Sequence, residues 1–498
     1  MIKKVLIANR SEIACRVIKA CRETGISTVA VYSEADRGAL HVRLADEAVL
    51  IGPAPAAESY LNMDAVIKAA LETACDAIHP GYGFLSENHE FNKKVRDAGL
   101  IFIGPNPEAM AHLGSKVASR KTVMNADVPV VPGMKGSSTD INEFIKAAED
   151  MEYPVLIKAS AGGGGKGMRV VQDPAKLAES VESAMRESKS AFGSDEVFLE
   201  KYIVSPRHVE IQVACDSHGN AVYLFERECS IQRRHQKIIE ESPSPVMTPE
   251  LRKKMGEAAI RVVKAVGYDN LGTVEFLVDK GLNFYFLEVN ARIQVEHPVT
   301  EEVTGIDLVK LQIEIADGGE IPFKQEDLSQ RGHAIECRIY AESADRGFLP
   351  SSGKLLYLKE PAGPGVRFDS GVSTGVNVPV FYDPVLAKLI TRGADREEAR
   401  QRMVLALRDT AVLGVETSID FMIQCLEHDD YIQGKTFTDF IDKNIDQLKR
   451  TDDDGFEPIA AIAAAVRSAG SRPDNGQASP AMVSPWLSVG KWEIASDH

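Results

Sequence analysis

The run Phe284-Tyr-Phe-Leu-Glu-Val-Asn-Ala-Arg-Ile-Gln-Val-Glu-His297 gathers side chains that can do chemistry. Its first half reads as a strand, with Phe284, Phe286, Glu288 and Asn290 expected on one face and Tyr285, Leu287 and Val289 on the other. A carboxylate and an amide oxygen two residues apart suit a hard cation such as Mg2+. Upstream, Thr273–Val278 reads as a partner strand, and Asp279–Asn283 as the turn between them. The resulting hairpin brings Glu275 beside Glu288. Adjacent carboxylates repel unless a cation lies between them. Arg292, Gln294 and Glu296 follow at period two, keeping a cation, an amide and a second acid together. A solvated surface hairpin accounts for any one of these carboxylates, but not for the whole array flanked by apolar strands.

Other stretches supply positive charge for an anion. Tyr153-Pro-Val-Leu-Ile-Lys158 reads as a strand ending in lysine, followed by Ala161-Gly-Gly-Gly-Gly-Lys-Gly-Met168 and the strand Arg169–Val171. Consecutive glycines let backbone N–H groups turn toward a phosphate, and Lys158 and Lys166 add charge. The loop lies between two strands and lacks a following Lys-Ser/Thr, so it is not a Walker A loop. So much glycine between tight strands suggests a lid that closes on ligand. Lys116 opens a helix rich in Lys and Arg. At the end of the strand Val197–Ile203, Glu200 and Lys201 could read an adenine edge, with Ile203 against the ring. His208, Glu210 and Gln212 share one face of an alternating strand, a pattern an amphipathic edge strand also gives. Glu228–Lys237 is dense in donors, with a solvated charge run and an anion site as rival readings. Cys229 reads as a small buried residue rather than a nucleophile.

These groups need elements to position them. Residues 1–114 alternate strand and helix, with strands at Val5–Ala8, Thr28–Tyr32, Val49–Ile51, Ala77–Ile78 and Ile101–Ile103. That pattern predicts a parallel sheet covered by helices. The first strand–helix turn, Ala8-Asn-Arg-Ser11, lacks a glycine fingerprint, so dinucleotide binding is not expected. His79-Pro-Gly-Tyr-Gly-Phe-Leu-Ser-Glu-Asn88 is a rigid loop at a strand end, where α/β proteins place ligands, although its dipeptides are also ordinary turn chemistry. A second unit begins at Ser115. A third begins at about Arg331, with Ala334–Tyr340 an alternating strand and Thr391–Leu413 a surface helix. From about Thr451 the composition changes, and both tryptophans, Trp486 and Trp492, lie in this tail as a possible docking patch.

The chain has 498 residues, 44% of them apolar, enough for about three domains. Its 57 basic and 73 acidic residues give a net charge of −16 without a long basic run. Nucleic acid and anionic membrane are therefore not expected as partners. Met1–Ala8 is too short an apolar run for a signal peptide, and no segment is long enough to span a bilayer. Seven dispersed cysteines without a C-x-x-C pair fit reduced thiols in the cytoplasm.

Ile7-Ala-Asn-Arg10, the His79–Asn88 loop, the Gly162–Gly167 loop, Gln232-Arg-Arg-His-Gln-Lys237, Glu288–His297 and Gly332-His-Ala-Ile-Glu-Cys-Arg338 together form a specific set. Over roughly residues 1–446 the sequence resembles the biotin carboxylase component of biotin-dependent carboxylases, within the ATP-grasp superfamily. The resemblance implies an α/β architecture. It would comprise an N-terminal Rossmann-like domain (1–114), an ATP-grasp domain (115–330, lid about 131–203), a C-terminal α+β domain (331–446) and a tail (447–498). It implies that Lys116, Lys158, Gly164 and Gly165 hold ATP phosphates. Glu200, Lys201, Tyr202 and Ile203 would line the adenine edge, with Met168 and Leu277 on the ring and His208, Gln232 and His235 at further nucleotide positions. Glu275, Glu288 and Asn290 match ligands for Mg2+ or Mn2+. Lys237, Arg292, Gln294 and Val295 match a bicarbonate pocket, with Glu296 as base and Glu210 as partner of Lys237. Arg338 matches the residue facing the biotin ureido oxygen, with Tyr82 nearby. Ala291 and Pro384 depart from residues common in the family, and neither is a proposed ligand.

The implied activity is ATP-driven carboxylation of biotin through carboxyphosphate, the first half-reaction of an acyl-CoA or pyruvate carboxylase. No carrier module with Ala-Met-Lys-Met is present, so biotin is expected in trans on a biotin carboxyl carrier protein, with a separate carboxyltransferase and a homodimeric enzyme. The alternatives are another ATP-grasp ligase of carboxylate or carbamoyl type, and a non-enzymatic nucleotide-binding subunit.

Overall fold

The computed structural model describes residues 1–134, 136–160, 168–234 and 236–448, with the side chains of residues 116, 117 and 192 left aside. The expectations for Gly164, Gly165, His235, the Lys116 side chain and the tail tryptophans lie outside the described residues.

Five parallel strands open the chain: β1 (Lys4–Ile7), β2 (Ser27–Ser33), β3 (Glu47–Gly52), β4 (Ala77–His79) and β5 (Ile101–Phe102). Their order, β3-β2-β1-β4-β5, runs outward from β1 in both directions. In such sheets the ligand crevice lies beyond the C-terminal ends of the two strands where the order reverses, here β1 and β4. Asn9, after β1, locks that crevice by donating Nδ2 to the carbonyls of Pro80 and Tyr82, both at 2.7 Å. Gly81 has φ +60°, and a Cβ there would come within 2.9 Å of Asn9 Nδ2. Glycine is thus required for the approach.

A small lobe follows, with strands β6 (Val155–Ala159), β7 (Arg169–Val171) and β8 (Val197–Lys201) in the order β7-β6-β8. Two amphipathic helices, Ile141–Met151 and Leu177–Phe192, cover it. Phe144, Val155, Ile157, Val181 and Leu199 form a core of its own.

Eight antiparallel strands form the body: β9 (Arg207–Cys215), β10 (Ala221–Arg233), β11 (Gln236–Ser242), β12 (Asn270–Val278), β13 (Phe284–Asn290), β14 (His333–Tyr340), β15 (Val366–Ser370) and β16 (Val385–Gly393). Their order is β13-β12-β9-β10-β11-β14-β16-β15. Residue 330 therefore falls within the span of one continuous sheet, joined by β11–β14 pairing. β9 is central and buried along its whole length, not an edge strand. On one face Val209, Ile211 and Val213 join Val274, Phe276 and Val278 in the main core. The opposite face carries His208, Glu210 and Gln212.

Two expectations need correction. A register shift between Glu275 and Phe276 leaves Glu288 opposite Glu275 but Phe286 opposite Phe276. This bulge at Leu287 inverts the alternation, so Phe284 and Phe286 join the core while Glu288 and Asn290 lie on the other face. The stretch Thr391–Leu413 is likewise not one surface helix. β16 occupies its start, a helix spans Arg396–Asp409, and a short strand, Ala411–Leu413, ends it. The helix buries Ala399, Met403, Ala406 and Leu407 under the sheet, because the apolar spacing there serves a core rather than a free surface.

Candidate active site

The sheet lays out the first part of the site as one row. Arg227 on β10, Glu210 on β9, Glu275 on β12 and Glu288 on β13 are register partners in successive strands. Three acids in a row require compensation. Arg227, fully buried, donates to Glu210, Gln212, Thr273, Gln294 and Thr300 at 2.5–3.1 Å. Lys237, at the start of β11, donates to Glu210 (2.6 Å), Glu275 (2.9 Å) and Glu296 (2.6 Å). His208 Nε2 lies 2.9 Å from the second oxygen of Glu275. Burial alone would push the Glu275 carboxyl up, but Lys237 and His208 hold it well below the usual carboxylate range. Burial would strip charge from Lys237, yet the surrounding carboxylates of Glu210, Glu275 and Glu296 hold its ammonium well above the usual lysine value.

The segment after β13 folds back over this row. Asn290 donates Nδ2 to Glu275 (2.8 Å), and Gln294 donates Nε2 to the same oxygen (2.8 Å). Arg292 donates to Asn290 Oδ1 (3.0 Å) and to Glu87 (3.0 Å). Glu87, from the His79–Asn88 loop, also accepts the Ala291 backbone N–H. Glu296 sits at the N-cap of the helix His297–Thr304, where the helix dipole favours negative charge. One of its oxygens meets Lys237, and the other accepts from Arg338 Nη2 at 2.9 Å. Burial would raise the Glu296 carboxyl, but Lys237, Arg338 and Arg227 keep it firmly ionised. Cys229 is buried and its thiol is pushed well up by burial, which is no setting for a nucleophile.

Arg338 leads to the other end of the site. It stands opposite Lys388 in the β14–β16 register. The Lys388 ammonium donates to the Val295 carbonyl (2.7 Å) and lies 6.0 Å from the centre of the Tyr82 ring. Tyr82, Val295 and Arg338 thus border a common region at the crevice beyond β1 and β4.

At the lobe, Glu200 receives Arg120 (2.7 Å) and Lys158 (2.6 Å) together. The Lys201 side chain instead reaches the Glu152 carbonyl (3.0 Å), and its backbone N–H donates to the Pro132 carbonyl (2.8 Å). Leu277 pairs with His208 across β12 and β9, and Gln232 pairs with Lys237 across β10 and β11. The structure thereby brings Glu275, Glu288, Asn290, Arg292, Gln294, Glu296, Lys237, His208 and Arg338 into one constellation. Glu275 and Glu288 are directly opposed in the register, and carboxylate oxygens are the donors a hard divalent cation takes; the Asn290 amide here turns its nitrogen to Glu275 and its oxygen to Arg292.

Sequence reasoning missed Arg227, Glu87, Arg120, Glu240 and Lys388. The Glu-Arg-Glu run around Arg227 looks like a solvated strand, and only its central place in the sheet buries it.

Three family models match in succession: the biotin carboxylase N-terminal domain over residues 1–110, the carbamoyl-phosphate synthase L chain ATP-binding domain over 115–324, and the biotin carboxylase C-terminal domain over 336–443. The biotin carboxylase of Haemophilus influenzae is 52% identical over 446 residues, covering 89% of this chain and 99% of that protein. The chain belongs to the biotin carboxylase family. As a member it is an ATP-dependent ligase. Biotin carboxylase 1 of Bacillus subtilis is 50% identical over 443 residues, 89% of this chain and 98% of its own length. The rat methylcrotonoyl-CoA carboxylase subunit alpha is 49% identical, but the match spans only 63% of that longer subunit. Among solved structures, the biotin carboxylase domain dimer of Hydrogenobacter thermophilus 2-oxoglutarate carboxylase, in complex with MgADP, ADP and bicarbonate, superposes with a TM-score of 0.86 at 44% identity. That match covers 91% of this chain and all of the other.

Proposed function

We propose that this biotin carboxylase uses ATP and bicarbonate to carboxylate biotin presented by a separate carrier protein. The observation that carries the reading is Glu296, whose two oxygens link Lys237 on the anion side to Arg338 on the other. Lys116, Lys158 and the backbone of Gly164 and Gly165 would hold the ATP phosphates. Glu200 to Ile203, Met168, Leu277, His208, Gln232 and His235 would surround the rest of the nucleotide. Glu275, Glu288 and Asn290 would hold Mg2+ or Mn2+, which when bound draws charge off the phosphates.

Arg292 and Lys237, with Gln294 and the backbone of Val295, would seat bicarbonate. Glu296 takes its proton, and the freed oxygen attacks the γ-phosphorus. The bond to ADP breaks, giving carboxyphosphate. Entry of the anion draws the Lys237 ammonium away from Glu296, which raises the basicity of a carboxylate otherwise held too acidic for the task. Carboxyphosphate must be kept from water, a role for the lobe that bears the glycine loop. It splits to CO2 and phosphate. The phosphate takes the ureido N–H proton, the ureido oxygen gains negative charge facing Arg338, and the nitrogen bonds CO2. Seven free cysteines fit a cytoplasmic setting. No described helix is long and apolar enough to cross a membrane. A homodimer working with a carrier and a carboxyltransferase completes the reading.

The test is ADP release measured with bicarbonate omitted, then restored, then supplemented with free biotin. Bicarbonate dependence with a further rise on biotin is expected. ADP release indifferent to bicarbonate would favour another ATP-grasp ligase, and none at all a non-catalytic subunit.

A further inference from the structure

Behind Arg338 lies an arrangement that the chemistry above does not use. Glu240 on β11 and Glu336 on β14 are direct register partners, and both are 0% exposed. Apart from the Arg338 guanidinium on one Glu240 oxygen, their carboxylate oxygens meet no hydrogen-bond donor among the described residues. Glu240 makes only an ion-pair contact, 2.5 Å from Arg338 Nη2. Side chains opposed in this way stand about 5 Å apart at Cβ, which makes the two carboxyl groups immediate neighbours. The groups facing the pair are Arg338 on β14, Lys388 on β16, Lys237 at the start of β11 and Glu296 at its helix N-cap. Glu12 adds another carboxylate, 3.5 Å from Lys388. Lys237 is already committed to Glu210, Glu275 and Glu296, and the charge of Lys388 is shared with Glu12. Too little positive charge is left to keep both Glu240 and Glu336 ionised away from water.

We infer that Glu336 holds a proton that it shares with Glu240, and that this acid pair is a positioning device for Arg338. With one proton in place, the pair presents a single negative charge to the guanidinium. That charge steadies Arg338 through one nitrogen while its positive field stays available to the ureido oxygen. With both acids ionised, Arg338 would be drawn back toward the pair and its field largely cancelled. Burial and the neighbouring carboxylate both push the Glu336 carboxyl well above its usual range, while the Glu240 carboxyl is pushed up to about 7. Biotin turnover should therefore fall on the alkaline side as the pair gives up its last proton, while bicarbonate-dependent ADP release declines less. The inference rests on the biotin-facing role proposed for Arg338.

Infrared spectroscopy of the full-length enzyme tests the proton directly. The wild-type protein at neutral pH should show a buried carboxylic-acid carbonyl band that disappears on alkalinisation, and Glu336→Gln should weaken it. Should that variant fail to fold, Glu240→Gln serves instead: with the neighbouring charge gone, the band should disappear at a lower pH. The kinetic counterpart is the ratio of biotin-stimulated to bicarbonate-dependent ADP release across pH, whose alkaline fall should be flattened in Glu336→Gln. A wild-type spectrum without the band at neutral pH, or a band unmoved by either substitution, overturns the proposal. A band that responds as expected in a protein without bicarbonate-dependent ADP release would leave the proton assignment standing and sink the functional reading.

Discussion

Glu87 Oε2 accepts a hydrogen bond from Arg292 Nε at 3.0 Å, while its other oxygen takes the Ala291 N–H at 3.1 Å. A loop of the parallel sheet thereby orients a cation on the antiparallel one. Glu87→Gln should loosen Arg292 without removing it. Because Glu87 is 42% exposed, the loss should be modest, about 1 kcal/mol or roughly fivefold. Steady-state kinetics should show it mainly in KM for bicarbonate, with KM for ATP little changed. A fall confined to kcat would argue against an orienting role.

Arg227 donates to five acceptors from a fully buried position. Arg227→Ala leaves Glu210 with one partner fewer and should cost roughly 3–5 kcal/mol of stability. Arg227→Lys should rescue little, because an ammonium lacks the planar five-donor fork. Urea denaturation of the variants would measure both effects.

Removing Arg338 separates the two chemical stages. Arg338→Ala should lower biotin carboxylation by about 10²–10³-fold, the usual effect of losing a charge-stabilising donor. Much of the bicarbonate-dependent ADP release should survive. Equal loss in both assays would place Arg338 in bicarbonate activation instead.

Acid stability should depend on Glu241. Burial would raise its carboxyl, but Arg396, with contacts of 2.7 and 3.0 Å, and His333 at 2.7 Å lower it to about 2. A depressed carboxyl stabilises the fold at pH values above its unfolded pKa of 4.5, and the benefit is lost as pH falls toward about 2. The contribution near neutrality is about 3 kcal/mol. In Glu241→Gln, Tm at neutral pH should fall, and its further decline on acidification should be shallower than in the wild type.

The Glu275–Glu288 pairing was legible because alternation and a five-residue turn fix a hairpin locally. The bulge at Leu287 was not, since one inserted residue flips every side chain beyond it and leaves no mark in composition. Glu87 lay in a motif already singled out, but its partner is 205 residues away. Arg227, Glu240 and Lys388 were illegible for a related reason. In an isolated strand they look like solvent-facing charges, and only the stacking of eight strands takes water away from them.

The β11–β14 pairing bears on how this protein could be divided. A break near residue 330 would part Glu296 from Arg338 and leave two bare strand edges where four register pairs now meet. Co-expressed fragments would have to zip those edges together before either regained a working centre, and each alone would be prone to aggregate.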